Sequence, residues 1–323
     1  MSQGKPKVAV VGATGYAGAE LVRLLLAHPE FELASVVSRS ANGKPLSAVH
    51  PGLRAFSDLV FEAPDPARLA SYDSVLLAVP HGAATELAAA LSEHGAERIV
   101  DLSSDHRHHP DWVYGQAEWN TEQLRSAHRI AVPGCFATAI TVALAPFVDA
   151  GWIAGPVQCV AATGSTGAGA TPGKATHHPE RLVNLKAYKV LEHQHTPEVE
   201  VFLRSLGAFE RLHFVPLSAP LDRGILATCF FEVADPDLDP ALLLSQAYED
   251  KALVRVGGGS PEVRHVRGTG LCDLSVARDG RQVAVISALD NLGKGAAFQA
   301  LQCLNLSLDL PVNTGLKFAP CLP

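Results

Sequence analysis

The chain has 323 residues, of which 47% are hydrophobic and 18% charged, and a formal net charge of −7. That length is enough for a large core and predicts two domains, while the acidic balance argues against a nucleic-acid or anionic-membrane surface and no apolar run reaches the ~20 residues of a membrane span. Six cysteines (135, 159, 229, 272, 303 and 321) are scattered with no CxxC and no paired spacing, which fits reduced thiols in a cytoplasmic setting and argues against a disulfide framework or a metal site.

Residues 1–7 lead straight into an apolar strand at 7–11, with no signal-peptide core. Gly12-Ala-Thr14-Gly15-Tyr16-Ala-Gly18 follows, and a helical run occupies 19–26. Strand, glycine-rich turn and helix in that order form the setting in which backbone approaches a pyrophosphate at a helix N-terminus. Gly12, Thr14, Gly15, Tyr16 and Gly18 are therefore candidate cofactor contacts, although the spacing is GxxGxxG and not the commoner GxGxxG. The next strand, 31–37, runs into Ser38-Arg39-Ser40. An NAD site usually places Asp or Glu here for the ribose 2′-hydroxyl. An arginine among hydroxyls suits a 2′-phosphate and favours NADP, against the plainer possibility of a solvated loop charge.

Strands at 74–79 and 98–102 end at Pro80-His81-Gly82 and Ser103-Ser104-Asp105, with a helix over 83–94. This alternation predicts an α/β, Rossmann-type, doubly wound parallel sheet, with ligands at the carboxyl ends of its strands. Pro80, His81 and Ser103 join the cofactor candidates on that rim. A strand at 128–132 ends at Pro133-Gly134, and Cys135 opens a helix predicted over 136–149, with Pro146 a kink or stop. A thiol at a first helical turn meets unpaired N–H groups and the positive end of the dipole, which favours thiolate. It is a candidate nucleophile on the same rim, against the plainer reading of a small buried residue.

Beyond this helix the rhythm changes. Strands are predicted at 157–162, 212–218, 225–233, 253–256, 271–277 and 282–287, and helices at 198–206, 240–248 and 292–308. The pattern predicts an α+β domain with a mostly antiparallel sheet. The expected division is 1–134 plus 305–323 for the NADP-binding domain, and 135–304 for the catalytic and oligomerisation domain. The polar, glycine-rich stretch 163–171 predicts a flexible loop that offers donors to a phosphate, against the plainer reading of a turn. His193 and His195 are equivalent candidates for partner of a catalytic thiol, with pKa values near neutrality, and no Cys or carboxylate cluster completes a metal site around them. Residues 106–109 read as a solvated loop from which Arg107 faces an anion; His177-His178 has no assigned role.

Taken together these residues resemble the N-acetyl-γ-glutamyl-phosphate reductase family, relatives of aspartate-semialdehyde dehydrogenase. The likeness runs over nearly the whole chain, in residues 12–21, 78–82, 101–105, Val132-Pro-Gly-Cys-Phe-Ala-Thr138, 164–169, His193-Gln-His-Thr-Pro-Glu198, 223–225 and 289–295. It implies NADPH-dependent reductive dephosphorylation of N-acetyl-L-glutamyl 5-phosphate to the 5-semialdehyde through a cysteine thioester, with release of inorganic phosphate, in arginine biosynthesis. Cys135 would be the nucleophile, His193 or His195 the acid/base, and Asn291 a neighbour of the nicotinamide. Arg107, Ser165 and Arg223 are candidates for the anionic ends of the substrate. A cytoplasmic homodimer or homotetramer is implied. The chain departs from the family pattern at Gly270, Gly293 and Phe298, and it is a little short. Rival readings are the same chemistry on aspartyl phosphate or a carrier-linked aminoadipyl phosphate, and an NADP-binding sensor without catalysis.

Overall fold

The computed structural model describes residues 4–235, 237–257 and 259–320. Cys321 lies outside these; the other five cysteines are free thiols. Two compact units are present, Met1–Pro133 with Ala296–Lys317 and Gly134–Gly295 with Phe318–Pro323.

In the first unit, six strands β1 (Lys7–Val11), β2 (Glu32–Val37), β3 (Ser74–Leu77), β4 (Ile99–Asp101), β5 (Val113–Tyr114) and β6 (Arg129–Ala131) form a sheet in the order β2-β1-β3-β4-β6-β5. Every pairing is parallel. Short runs such as Ser74-Val-Leu-Leu77 are buried throughout, as strands covered on both faces require. Helices α1 (Tyr16–Leu26) and α2 (Ala84–Glu93) connect them. Leu21, Leu24 and Leu25 of α1 are buried at helical spacing. Strand order reverses between β1 and β3, so the turns after these strands, at Gly12 and at 78–82, meet at the switch point where ligands of such sheets bind.

The second unit begins with α3 (Cys135–Asp149), followed by β7 (Ile153–Thr163), β8 (Lys186–Ala187), α4 (His195–Leu206), β9 (Leu212–Ser218), β10 (Ile225–Val233), α5 (Pro240–Tyr248), β11 (Val254–Val256), β12 (Cys272–Asp279) and β13 (Gln282–Leu289). Seven strands form one sheet, β11-β12-β13-β10-β7-β9-β8. Four of its pairings are antiparallel, and β7/β9 and β11/β12 are parallel. Alternate residues of β10, from Ile225 to Val233, are buried, which leaves one face of the sheet for the helices. α3 is buried from Phe136 to Val148, the pattern of a helix enclosed on all sides. Pro146 neither stops it nor breaks it. Proline lacks the N–H that would bond the carbonyl four residues back, and the Tyr248 hydroxyl donates to that carbonyl, Val142 O, at 2.6 Å.

Two expectations change at the end of the chain. The stretch predicted as one helix over 292–308 is a π-helical turn (Gly293–Ala297) followed by α6 (Phe298–Ser307). The chain also rejoins the first unit at Ala296 and not at 305. The amides of α6 explain why: Gln299 Nε2 donates to Gly115 O (2.8 Å) and Gln302 Nε2 to Glu118 Oε1 (3.0 Å). All of α6 is thereby tied to the 115–118 segment. The first boundary falls at Pro133/Gly134, one residue from the expected position. Residues 318–320 belong with the second unit.

Candidate active site

In the second unit Cys135 is the first residue of α3, and Gly134 caps the helix with extended backbone and no side chain. The Gly134 N–H donates to Glu198 Oε1 at 2.8 Å. A Cβ placed on Gly134 would lie 2.2 Å from His195 Nε2. The imidazole edge therefore fills the space a side chain would take, one residue before the thiol. On the other flank, a Cβ on Gly295 would lie 2.8 Å from Cys135 Cβ. The sequence joins Cys135 to neither neighbour; the fold brings both to it.

The two histidines are not equivalent. His193 is 4% exposed and stands edge-on to Phe136, Tyr188 and Phe214, with ring centroids 5.3–5.8 Å away. Burial, aided by the charge of Lys189, brings its pKa down to about 4, so the ring is neutral at pH 7. Its Nδ1 accepts the backbone N–H of His195 at 3.2 Å, which leaves the proton of the neutral ring on Nε2. His195 is the one set against Gly134.

Two further groups went unpredicted. Tyr188 lies near enough to Cys135 to feel its charge; burial first, and Cys135 second, push the phenol pKa up, while Arg181 opposes them. No periodicity marks this tyrosine in its polar segment. Glu198 did carry a signal, because a residue three after His195 shares its helical face.

Other candidates are engaged within the protein. Arg223 Nε lies 2.9 Å from Oδ2 of Asp290, whose carboxylate is fully buried and also accepts the N–H groups of Gly268, Leu292 and Gly293. Asn291 Oδ1 accepts the Gly224 N–H at 2.7 Å, and its Nδ2 donates to Thr166 Oγ1 at 3.1 Å. Ser165 N–H bonds Leu221 O at 2.9 Å and Thr166 N–H bonds Asp222 O at 3.1 Å. The 164–168 stretch is thus a fixed turn, the plainer of the two expected forms.

In the first unit Gly12 has φ +83°, and a Cβ there would lie 2.2 Å from Ala78 O, so glycine is required by the turn and by the approach of the next strand. Gly15 is different: a Cβ there would meet nothing closer than Gly12 O at 3.5 Å. It caps α1 without a side chain, which leaves the space over the helix N-terminus that a pyrophosphate occupies. Tyr16 is 43% exposed beside it. Thr14, Ser38 and Ser40 bring their hydroxyls together, with Ser38 Oγ 3.5 Å from Thr14 Oγ1 and 3.2 Å from Ser40 Oγ. Arg39 is exposed, and its guanidinium makes no hydrogen bond or ion pair among the described residues. This cradle fits a dinucleotide with a 2′-phosphate.

Pro80 is exposed, and His81 Nδ1 accepts the Ser104 N–H at 3.0 Å. Asp105 accepts the N–H groups of Gly82 and Ala84; burial raises its pKa, but these donors outweigh burial and hold it below the ordinary carboxylate value. Ser103 bonds Asp101 through both N–H and hydroxyl. The expected solvated loop over 106–109 is found at His108 and His109, which are exposed, but not at the two residues before them. His106 is buried, stacked on Trp112 and 2.7 Å from Asp101 Oδ2. Arg107 is buried too, and donates from Nε to Val132 O and from Nη2 to Leu102 O. Its guanidinium ties two strand ends together. His177 and His178 are exposed. Among the described residues no group of three or more His, Cys, Asp or Glu is placed to hold a metal ion.

Residues 7–127 match the family model described as semialdehyde dehydrogenase, NAD binding domain, and residues 135–291 match the semialdehyde dehydrogenase, dimerisation domain. N-acetyl-gamma-glutamyl-phosphate reductase of Salinispora arenicola is 43% identical over 96% of this chain and 97% of its own length. The enzyme of the same name from Methanoregula boonei is 39% identical over 98% of this chain and 100% of its own. The chain belongs to the N-acetyl-gamma-glutamyl-phosphate reductase family. Among solved structures, aspartate semialdehyde dehydrogenase II from Vibrio cholerae, complexed with ASA, aligns with TM-score 0.76 at 18% identity over 95% of this chain and 99% of its own. Aspartate semialdehyde dehydrogenase with NADP from Candida albicans aligns with TM-score 0.71 at 16% identity, over 94% and 99%. At these identities the likeness is one of fold: a parallel-sheet nucleotide unit followed by a mixed, largely antiparallel one. Among the described residues no helix is long and apolar enough to cross a membrane.

Proposed function

We propose that this protein reduces N-acetyl-L-glutamyl 5-phosphate to N-acetyl-L-glutamate 5-semialdehyde with NADPH, releasing inorganic phosphate, as a cytoplasmic enzyme of arginine biosynthesis. The observation that carries the reading is Cys135 at the first turn of α3, with the Nε2 edge of His195 against the residue before it. His195 takes the thiol proton, and the thiolate attacks the acyl carbonyl. N–H groups of the first turn of α3 face the oxyanion, since that turn has no intrahelical acceptors for them. Phosphate leaves and a thioester remains on Cys135. Gly15, Ser38 and Arg39 would hold the dinucleotide, whose chemistry would be hydride donation to the thioester carbonyl. As the thiohemiacetal collapses, the C–S bond breaks and His195 returns the proton to sulfur. His193 and Glu198 are positioning residues: one holds the backbone of His195, the other the cap of α3.

The acyl group follows from the relatives. Assays with the N-acetylglutamyl, aspartyl and aminoadipyl semialdehydes compare it with its rivals. The second unit also leaves a sheet face open on which Val160 is 40% and Phe230 is 43% exposed. Val160 lies opposite Thr228 and Gln158 opposite Phe230, so these side chains share that face. We infer that a second copy covers it to form a homodimer.

Cys135→Ala tests the covalent route. It should abolish phosphate-dependent NADP reduction by N-acetylglutamate semialdehyde; retention of more than ~5% of activity, far above what a lost nucleophile leaves, rejects the route.

A further inference from the structure

Arg181 closes the short helix His178–Arg181 and was singled out by no motif. Its Nη1 bonds Ser218 Oγ, and its Nη2 donates to Ala219 O (2.5 Å) and Thr163 O (3.2 Å). Thr163 and Ser218 are paired residues at the ends of the parallel strands β7 and β9, and Thr163 leads directly into the fixed turn at 164–168. All three partners are neutral. Among the described residues no carboxylate reaches Arg181, and its Nε is buried with no hydrogen-bond partner. By contrast, the arginines of this unit that form ion pairs are spent: Arg223 on Asp290, Arg204 on Glu200, Arg255 on Asp273, Arg264 on Glu262 and Arg267 on Asp222.

A half-buried guanidinium without a counter-charge is costly, and burial here works against its charged form. Its position supplies a reason for that cost. The Tyr188 phenol feels both Cys135 and Arg181 and stands edge-on to the His193 ring at 5.8 Å, so the cation and the thiol share one aromatic neighbour. The substrate has a carboxylate at the end remote from its reacting carbonyl, and a rigidly held arginine is the residue that discriminates for such a group.

We propose that Arg181 is a specificity-determining residue that receives the substrate's α-carboxylate. The proposal rests on the reductase reading above. The test compares two aldehydes in the oxidative direction: N-acetylglutamate 5-semialdehyde and 4-acetamidobutanal, the same molecule without its carboxylate. The wild-type protein should show kcat/KM at least tenfold higher for the first, in the range of one charge-assisted hydrogen bond. Arg181→Leu should raise KM for the semialdehyde roughly ten- to a hundredfold, change kcat little, and alter kcat/KM for 4-acetamidobutanal less than ~3-fold, within ordinary mutational scatter. Arg181→Lys, which keeps the charge, should recover part of the preference. Equal loss for both aldehydes would make Arg181 a structural clamp and overturn the proposal. So would equal kcat/KM for the two aldehydes in the wild-type protein, a result that needs no variant to fold. Absence of turnover of either aldehyde by the wild type would instead overturn the reductase reading, and the anchor with it.

Discussion

Arg39, in the first unit, stands exposed with no ion pair among the described residues, whereas Arg223, in the second, is held by a fully buried Asp290. The same contrast runs through both units. Around Gly15 the space over the helix N-terminus is open, and Arg39 is exposed beside the clustered hydroxyls of Thr14, Ser38 and Ser40. Around Cys135 the groups are bonded to one another: Gly134 to Glu198, His195 to His193, Asn291 to both Gly224 and Thr166. A surface for a cofactor that arrives and departs keeps its charges available. Under the proposed covalent route, the site around Cys135 spends its hydrogen bonds on holding geometry, since small misplacements of reacting groups are costly.

Substitutions test this contrast in order of expected effect. His195→Gln should lower kcat by ~10²–10⁴, the range for a lost acid/base, whereas His193→Gln should cost less and act through the placement of His195; equal losses would erase the distinction between them. Gly134→Ala forces a methyl into the imidazole edge and should lower kcat by ~10² while circular dichroism shows an intact fold; unchanged kcat would mean that the ring's position is not critical. On the open side, Arg39→Ala should raise KM for NADPH by about tenfold and leave KM for NADH unchanged. A parallel change with both cofactors would remove Arg39 from the 2′-phosphate.

The smallest effect is on stability. His193 titrates at about 4 in the folded protein, below its ordinary 6.5, so between those values the unfolded chain binds the extra proton. Stability is then complete above pH 6.5 and falls as pH drops toward 4, by at most ~1.4 kcal/mol per pH unit from this group. Urea midpoints at pH 7.5 and 5 in wild type and His193→Gln measure it; an identical pH slope in the variant would assign the acid sensitivity elsewhere.

What was legible in the sequence follows the same division. The first unit's rim is built from local motifs, so Gly12–Gly18 and Ser38–Arg39 could be named from spacing alone, and β1, β9 and β10 fell where their apolar patterns placed them. In the second unit, Cys135 was legible as a helix start, but its neighbours come from segments far away in the chain. Nothing in the sequence separates His193 from His195, because the difference lies in a cage formed by Phe136, Tyr188 and Phe214. Likewise, the partners that occupy Arg223 and Asn291 are set by tertiary hydrogen bonds. The spacing of amides in α6 was readable, yet which segment they bond was not, and the domain boundary moved accordingly.

Pro146 and Tyr248 are more than a hundred residues apart, yet they form one heritable unit. While the proline is present, the tyrosine hydroxyl answers a carbonyl that the helix itself abandons. If the hydroxyl is lost first, that carbonyl is stranded in a dry interior; if the proline is lost first, the restored N–H and the hydroxyl can share the carbonyl's two lone pairs. Loss of the hydroxyl is therefore tolerable only once the proline has gone, so the order of change at the two positions is constrained, along the same rigid helix that carries the thiol at its tip.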